Sequence, residues 1–170
     1  IFLSSGEGGG HGTPAGKTIS IREKEAGEAA AILGISHLDF WRLSDGHLAS
    51  CEEIALRLSQ KFEAYRPDII YVPHEHENHV DHQAAARSVR QALAQLDGNL
   101  PRPEVRMFEV WTPIRKVDHI VDISRFVETK RRAVLAYKSQ CDHVKFDEAI
   151  LGLNRYRGEL YCWPGGDYAE

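Results

Sequence analysis

Apolar residues along this chain alternate between short continuous runs and longer stretches that repeat every three to four positions. The runs IFLS, HLDFWRL, DIIYVP, VRMFEVW and HIVDIS have strand character, and DIIYVP is apolar enough for burial on both faces. Helical stretches lie between them. Ser20, with Glu23 three residues on, reads as a capping box, after which Ala26, Ala30 and Leu33 form one apolar face that Gly34 ends. Ser50 with Glu53 reads the same way ahead of Ile54, Leu58, Phe62 and Tyr65, and Arg66-Pro67 stops that helix. A third helix is predicted from about Val80 to Leu96 with Asn78 or His79 near its cap, and a fourth carries Phe126, Lys130, Ala133, Val134 and Tyr137 at helical spacing. The alternation of strand and helix predicts an α/β sandwich with a mainly parallel sheet, in a single domain spanning residues 1–170.

Composition is consistent with that frame. With 170 residues, 42% apolar and 27% charged, the chain is large enough to bury a core. A net charge of −4 without any basic block gives no electrostatic case for nucleic acid. Cys51, Cys141 and Cys162 are odd in number and widely spaced, which suits ordinary thiols rather than a disulfide framework or a CxxC metal site. No apolar stretch approaches the roughly 18 residues of a spanning helix and no signal peptide is visible, so a cytoplasmic protein without a membrane span is expected. The only methionine is Met107 and the chain opens on the strand-like IFLS, so the natural protein is expected to carry sequence ahead of Ile1.

Chemistry concentrates after DIIYVP. Four of the nine histidines, His74, His76, His79 and His82, fall in the segment HEHENHVDH. A solvated polar loop or a helix start with water-facing histidines would account for them singly. Clustered with carboxylates, they are the ligand types that zinc and iron accept. In open parallel sheets, ligands bind beyond the carboxyl ends of the strands. By that rule the histidine segment, GEGGGHG after IFLS and Ser44-Asp45-Gly46 after HLDFWRL would share one rim. Two familiar motifs fail. A phosphate loop ending in Gly16-Lys17-Thr18 needs glycine where His11 stands, and HExxH started from His76-Glu77 meets Val80 at its fifth position. His79 and His82 are instead three apart, on one side of a first helical turn.

Four stretches together resemble the PIG-L/LmbE-like family of zinc-dependent N-acetylglucosaminyl de-N-acetylases. RPDIIYVPHEHENHVDHQAAA is similar to the family's strand and H-x-D-H motif, with Val80 where proline is usual. SSGEGG with IREKEAGEAAAILGI is similar to its loop and R-x-x-E helix, FWRLSDGHL to its Asp-Gly segment, and ETKRRAVLAYKSQ with DYAE to its C-terminal part. HVDH alone is weak; four segments in order along nearly the whole chain are specific. The resemblance implies a Rossmann-like three-layer fold. The family's other motif, His-Pro-Asp-Asp-Glu, which supplies two zinc ligands and the general base, is absent from these residues. It is expected at the end of a first strand immediately ahead of Ile1, within about 20 residues, and residues 1–170 alone are expected to be inactive.

The resemblance implies hydrolysis of an N-acetyl amide on an N-acetylglucosamine-type substrate. It makes His82 a zinc ligand, His79 the group that polarises the carbonyl or stabilises the oxyanion, and Asp81 a carboxylate that orients an imidazole. Arg22 and Asp45 resemble positions that hold sugar hydroxyls. Bland readings stand beside these: Asp81 as a helix-cap residue, Arg22 as a first-turn solvent arginine, His74 and His76 as rim residues and His11 as a loop residue. Two other functions remain open, a non-catalytic carbohydrate-binding relative and a phosphate-loop nucleotide-binding protein. The expected partner is a small amino-sugar or glycoconjugate, and the sequence is silent on oligomeric state.

Overall fold

A computed structural model describes residues 1–162 and 166–170. In chain order the elements are α1 (Ala15–Leu33), α2 (Glu53–Tyr65), β1 (Ile69–Pro73), α3 (Val80–Gln95), β2 (Glu104–Phe108), α4 (Val127–Leu135), α5 (Lys138–Cys141) and α6 (Phe146–Tyr161). The chain forms two compact units, residues 43–116 and residues 1–42 with 117–170.

In unit 43–116, β1 and β2 pair in parallel, from Ile69 opposite Glu104 to Pro73 opposite Phe108. Parallel neighbours need a crossover, and α3 supplies it while packing on β1 and α2. The core is the face of α2 that the apolar spacing foretold: Ile54 is 0% exposed, and Leu58 and Phe62 are buried. Tyr65, expected on the same face, is 72% exposed, because it is the last helical residue before Arg66 turns into the left-handed region at φ 46°. The strand β1 is not buried on both faces as expected. Val72 is buried while Ile69 and Tyr71 are exposed, since α3 covers one face of β1 within this unit.

In unit 1–42 with 117–170, α1 and α4 pack through Ala29, Ala133 and Ala136, with Ile32 and Tyr137 against them. IFLS and HLDFWRL do run parallel, but they meet at a single bridge, Phe2 with Phe40. Bends at residues 3–4 and the left-handed backbone of Arg42, φ 54°, cut both extended runs short. HIVDIS likewise bridges once, antiparallel, from Asp122 to Ala169, and the Asp122 carboxylate then accepts the Ser124 amide in a turn that ends the extension. The fold is therefore α/β with a small parallel two-strand sheet among the described residues.

Both expected capping boxes are displaced. Pro14, its φ of −56° already suited to a helix, starts α1 at Ala15, so Ser20 is internal and its hydroxyl donates back to the Gly16 carbonyl at 3.1 Å. Ser50 donates to the His47 carbonyl at 2.8 Å in a short turn, and α2 begins at Glu53 after Glu52. Leu33, expected on the apolar face of α1, is exposed. The unforeseen helices are the short α5 and the longer α6. The inward positions of α6 include Asp147, Asn154 and Arg157, which blur the apolar period. Among the described residues no helix is long and apolar enough to cross a membrane.

The end of α1 is as read from the sequence. Gly34 sits at φ 72°, and the Ile35 amide donates to Ala30 at 2.9 Å, closing the helix. A Cβ there costs about 1 kcal/mol in left-handed backbone. Gly34→Ala should lower the urea midpoint accordingly with an unchanged slope; an unmoved midpoint would contradict this account of the helix end.

Candidate functional site

The histidine segment bridges β1 and α3. His79 is the N-cap of α3, with φ −85° and ψ 124°, and its own Nδ1 accepts the Asp81 amide at 3.3 Å. A neutral imidazole with Nδ1 accepting carries its proton on Nε2, so His79 presents a donor. One helical turn on, the His82 ring lies 4.9 Å from that of His79, centroid to centroid.

Behind His82 stands Glu77, whose residue is 1% exposed. Its Oε1 accepts the amides of Val110, Trp111 and Thr112, each at 3.0 Å, and Trp111 also reaches Oε2 at 3.2 Å. Three successive amides turned toward one carboxylate form an anion nest. Burial by itself would push the Glu77 carboxyl up; the Thr112 and Val110 amides, the His82 imidazole and the Trp111 amide outweigh it and hold it below the usual carboxylate range. Oε2 lies 3.3 Å from His82 Nδ1. An ionised carboxylate only accepts, so in a neutral His82 imidazole the proton sits on Nδ1 and the Nε2 lone pair is bare.

His74 differs from its expected place on the rim. It is 7% exposed, its Nδ1 accepts the His76 amide at 3.2 Å, and its Nε2–H donates to the Thr112 carbonyl at 2.7 Å. It is a strut between β1 and the loop that also holds Glu77, whereas His76 is exposed.

Asp81 is buried in the first turn of α3, and its two oxygens accept the amides of Gly46 at 2.6 Å and Leu48 at 3.0 Å. It thereby holds the turn that carries Asp45, whose carbonyl meets His47 Nδ1 at 3.0 Å. His79, Asp81, His82 and Asp45 thus all belong to unit 43–116, tied together by α3 and its backbone partners.

Arg22 belongs to the other unit, midway along α1 rather than in its first turn. Its guanidinium lies against the turn at Gly6, where an added Cβ would come within 3.0 Å of Nη2. Nearby Tyr137 has its pKa raised, chiefly by burial, with the Arg22 charge opposing and Glu25 adding to the rise. Glu25 is buried and accepts both the Ser139 amide and hydroxyl at 2.7 Å. Glu23 takes a two-pronged hydrogen bond from Arg42, 2.8 Å on each side. His11 packs its ring against His143 at 4.1 Å, beside a cavity of about 200 Å³ lined by residues of this unit.

Among the described residues no group of three or more His, Cys, Asp or Glu is placed to hold a metal ion. A catalytic zinc takes three protein ligands and a water. The donor set fits such an ion at one position, His82 Nε2, which is backed by a carboxylate as metal-binding imidazoles commonly are. Glu77 is a residue of the site that no sequence motif marks. The available signal was a glutamate three residues after one histidine and five before another, at the end of a strand.

A family model described as PIG-L, GlcNAc-PI de-N-acetylase, matches residues 1–93. Among solved structures, the conserved protein TT1542 from Thermus thermophilus is 35% identical, with 99% of this chain covering 76% of that one at a TM-score of 0.82. The N,N'-diacetylchitobiose deacetylase of Pyrococcus horikoshii is 20% identical, with 99% of this chain covering 68% of that one at a TM-score of 0.83. GalB, the 4-carboxy-2-hydroxymuconate hydratase of Pseudomonas putida, is 21% identical, with 98% covering 79% at a TM-score of 0.79. At such identities the last two share the LmbE-like Rossmann-type fold.

Proposed function

The chain belongs to the PIG-L family of GlcNAc-PI de-N-acetylases, and from that premise we propose that it hydrolyses the acetamide of an N-acetylglucosamine-type substrate in a zinc-dependent reaction. The fold by itself does not select this chemistry, since a deacetylase and a hydratase share it. The observation that carries the reading is the opposed hydrogen bonding of two neighbouring imidazoles: His79 Nδ1 meets an amide donor and His82 Nδ1 a carboxylate acceptor, with their rings 4.9 Å apart, so that the neutral rings present a donor and a lone pair respectively at Nε2.

Each half of the pair suits one task. His82 Nε2 is the nitrogen that would hold zinc, and family members are typically metal-dependent. Zinc, when bound, lowers the pKa of its water to about 7 and so makes a nucleophile available at neutral pH. His79 donates from Nε2 to the acetamide oxygen, most strongly as negative charge gathers on it. Asp81 keeps the turn of Asp45 in place through the Gly46 and Leu48 amides, and Asp45 binds a sugar hydroxyl. Arg22 is assigned the same kind of task from its own unit.

The substrate assignment is tested by Asp45→Ala and Arg22→Ala in the natural full-length protein. Each should raise KM for a sugar amide, with folding stability changed by less than about 0.5 kcal/mol, as is usual for substitutions outside the core. A fallen urea midpoint with KM unchanged would make both residues structural. The phosphate-loop alternative draws no support from family membership.

A further inference from the structure

The carboxylate of Glu77 does more than close a loop. It is buried, its Oε1 takes three consecutive amides from residues 110–112, and its other oxygen, which the Trp111 amide also reaches at 3.2 Å, faces a side chain on a different element, His82 in the first turn of α3. Nothing about holding the loop requires that oxygen to face an imidazole nitrogen. His79, three residues earlier, has its Nδ1 occupied by a backbone donor, the Asp81 amide. His82 has its Nδ1 on a carboxylate acceptor instead. The two rings are therefore set in opposite tautomers by their different partners.

We propose that Glu77 is a positioning residue: anchored by the amides of Val110, Trp111 and Thr112, it holds His82 in the Nδ1–H tautomer and keeps Nε2 unprotonated as the working nitrogen. The role given to that nitrogen, binding zinc, rests on the function proposed above, but the tautomer does not. The anchor matters because a carboxylate free to rotate would let the imidazole take either tautomer, and in water the Nε2–H form is ordinarily available to it. Here Oε1 is committed three times over, so the side chain cannot turn without giving up all three of those hydrogen bonds.

Glu77→Gln separates anchoring from tautomer control with almost no change of shape. The Gln oxygen takes the place of Oε1 under the three amides, which puts the side-chain NH₂ opposite His82 Nδ1. That nitrogen can only donate, so His82 must accept at Nδ1 and move its proton to Nε2. The measurement is the ¹⁵N chemical shift of both His82 ring nitrogens in the metal-free natural full-length protein, which reads directly which nitrogen carries the proton. Wild type should show Nδ1 protonated and Nε2 bare, and Glu77→Gln the reverse. Zinc affinity measured on the same two proteins should fall about 10- to 100-fold in the variant.

A wild-type His82 protonated on Nε2 would overturn the proposal without any variant, so a Glu77→Gln protein that fails to fold leaves it falsifiable. A Glu77→Gln protein that folds with the wild-type tautomer would overturn it too, leaving Glu77 a loop anchor only. If the tautomer switches as stated but zinc affinity is the same in wild type, Glu77→Gln and His82→Ala, the positioning role stands and the ligand assignment of His82 fails.

Discussion

Replacing His79 by Ala should lower kcat for deacetylation by roughly 10²- to 10³-fold, the loss that follows removal of one oxyanion donor, with metal content held at the wild-type level. The expectation follows from the Nδ1 of His79 being engaged by the Asp81 amide, which leaves the ring a donor at Nε2 and unsuited to ligation in its neutral form. His82→Ala should lose metal and activity together, because the bare Nε2 backed by Glu77 is the one nitrogen of the pair with a lone pair to give. Metal analysis beside kcat in both variants checks this. Equal metal loss in the two would make His79 a ligand as well.

Glu77→Ala should destabilise the protein by roughly 3–5 kcal/mol, the range for removing one partner of a buried charged network. Truncation strands the amides of Val110, Trp111 and Thr112 and leaves the Nε2 of His74, 3.3 Å from Oε1, and the Nδ1 of His82 without their carboxylate. Val110 and Trp111 are exposed, so water can reach some of what is stranded, which argues for the lower part of that range. Urea unfolding measures the change. A loss below about 1 kcal/mol would mean that the nest contributes geometry and little stability. The isosteric Glu77→Gln should cost much less, since its oxygen still serves the amides.

What the sequence disclosed, and what it hid, follow from how each signal is encoded. The helix after the histidine cluster was legible because His79 precedes an apolar period that begins at once, and it spans Val80–Gln95 with His79 as its cap. DIIYVP and VRMFEVW were legible as strands because tertiary pairing follows apolar runs bounded by proline and turn residues, and they pair as β1 and β2. Family membership was legible because it is spread over four segments. The helix α6 was not: it turns Asp147 toward Arg131, Asn154 toward the Ala169 carbonyl and Arg157 against the rings of Tyr156 and Tyr161, so its pattern reads as unperiodic.

The candidate site divides in the same way. HVDH carries side chains that advertise chemistry. Glu77 and Asp81 act largely on backbone amides more than thirty positions away, at residues 110–112 for Glu77 and at Gly46 and Leu48 for Asp81. An amide is the same at every residue, so no residue type marks the loop that will hold a carboxylate. Asp81 was expected behind an imidazole, and the carboxylate found in that position belongs to Glu77.

The measurement that bears most directly on the central claim is acetate release from N-acetylglucosamine and its glycoconjugates by the natural full-length protein, with zinc supplied and with zinc removed by a chelator. Acetate and free amine should appear in equal amounts, be lost on chelation and be restored by zinc. Sugar bound without acetate release, whether or not zinc is present, would contradict that claim and make the chain a carbohydrate-binding relative that no longer catalyses.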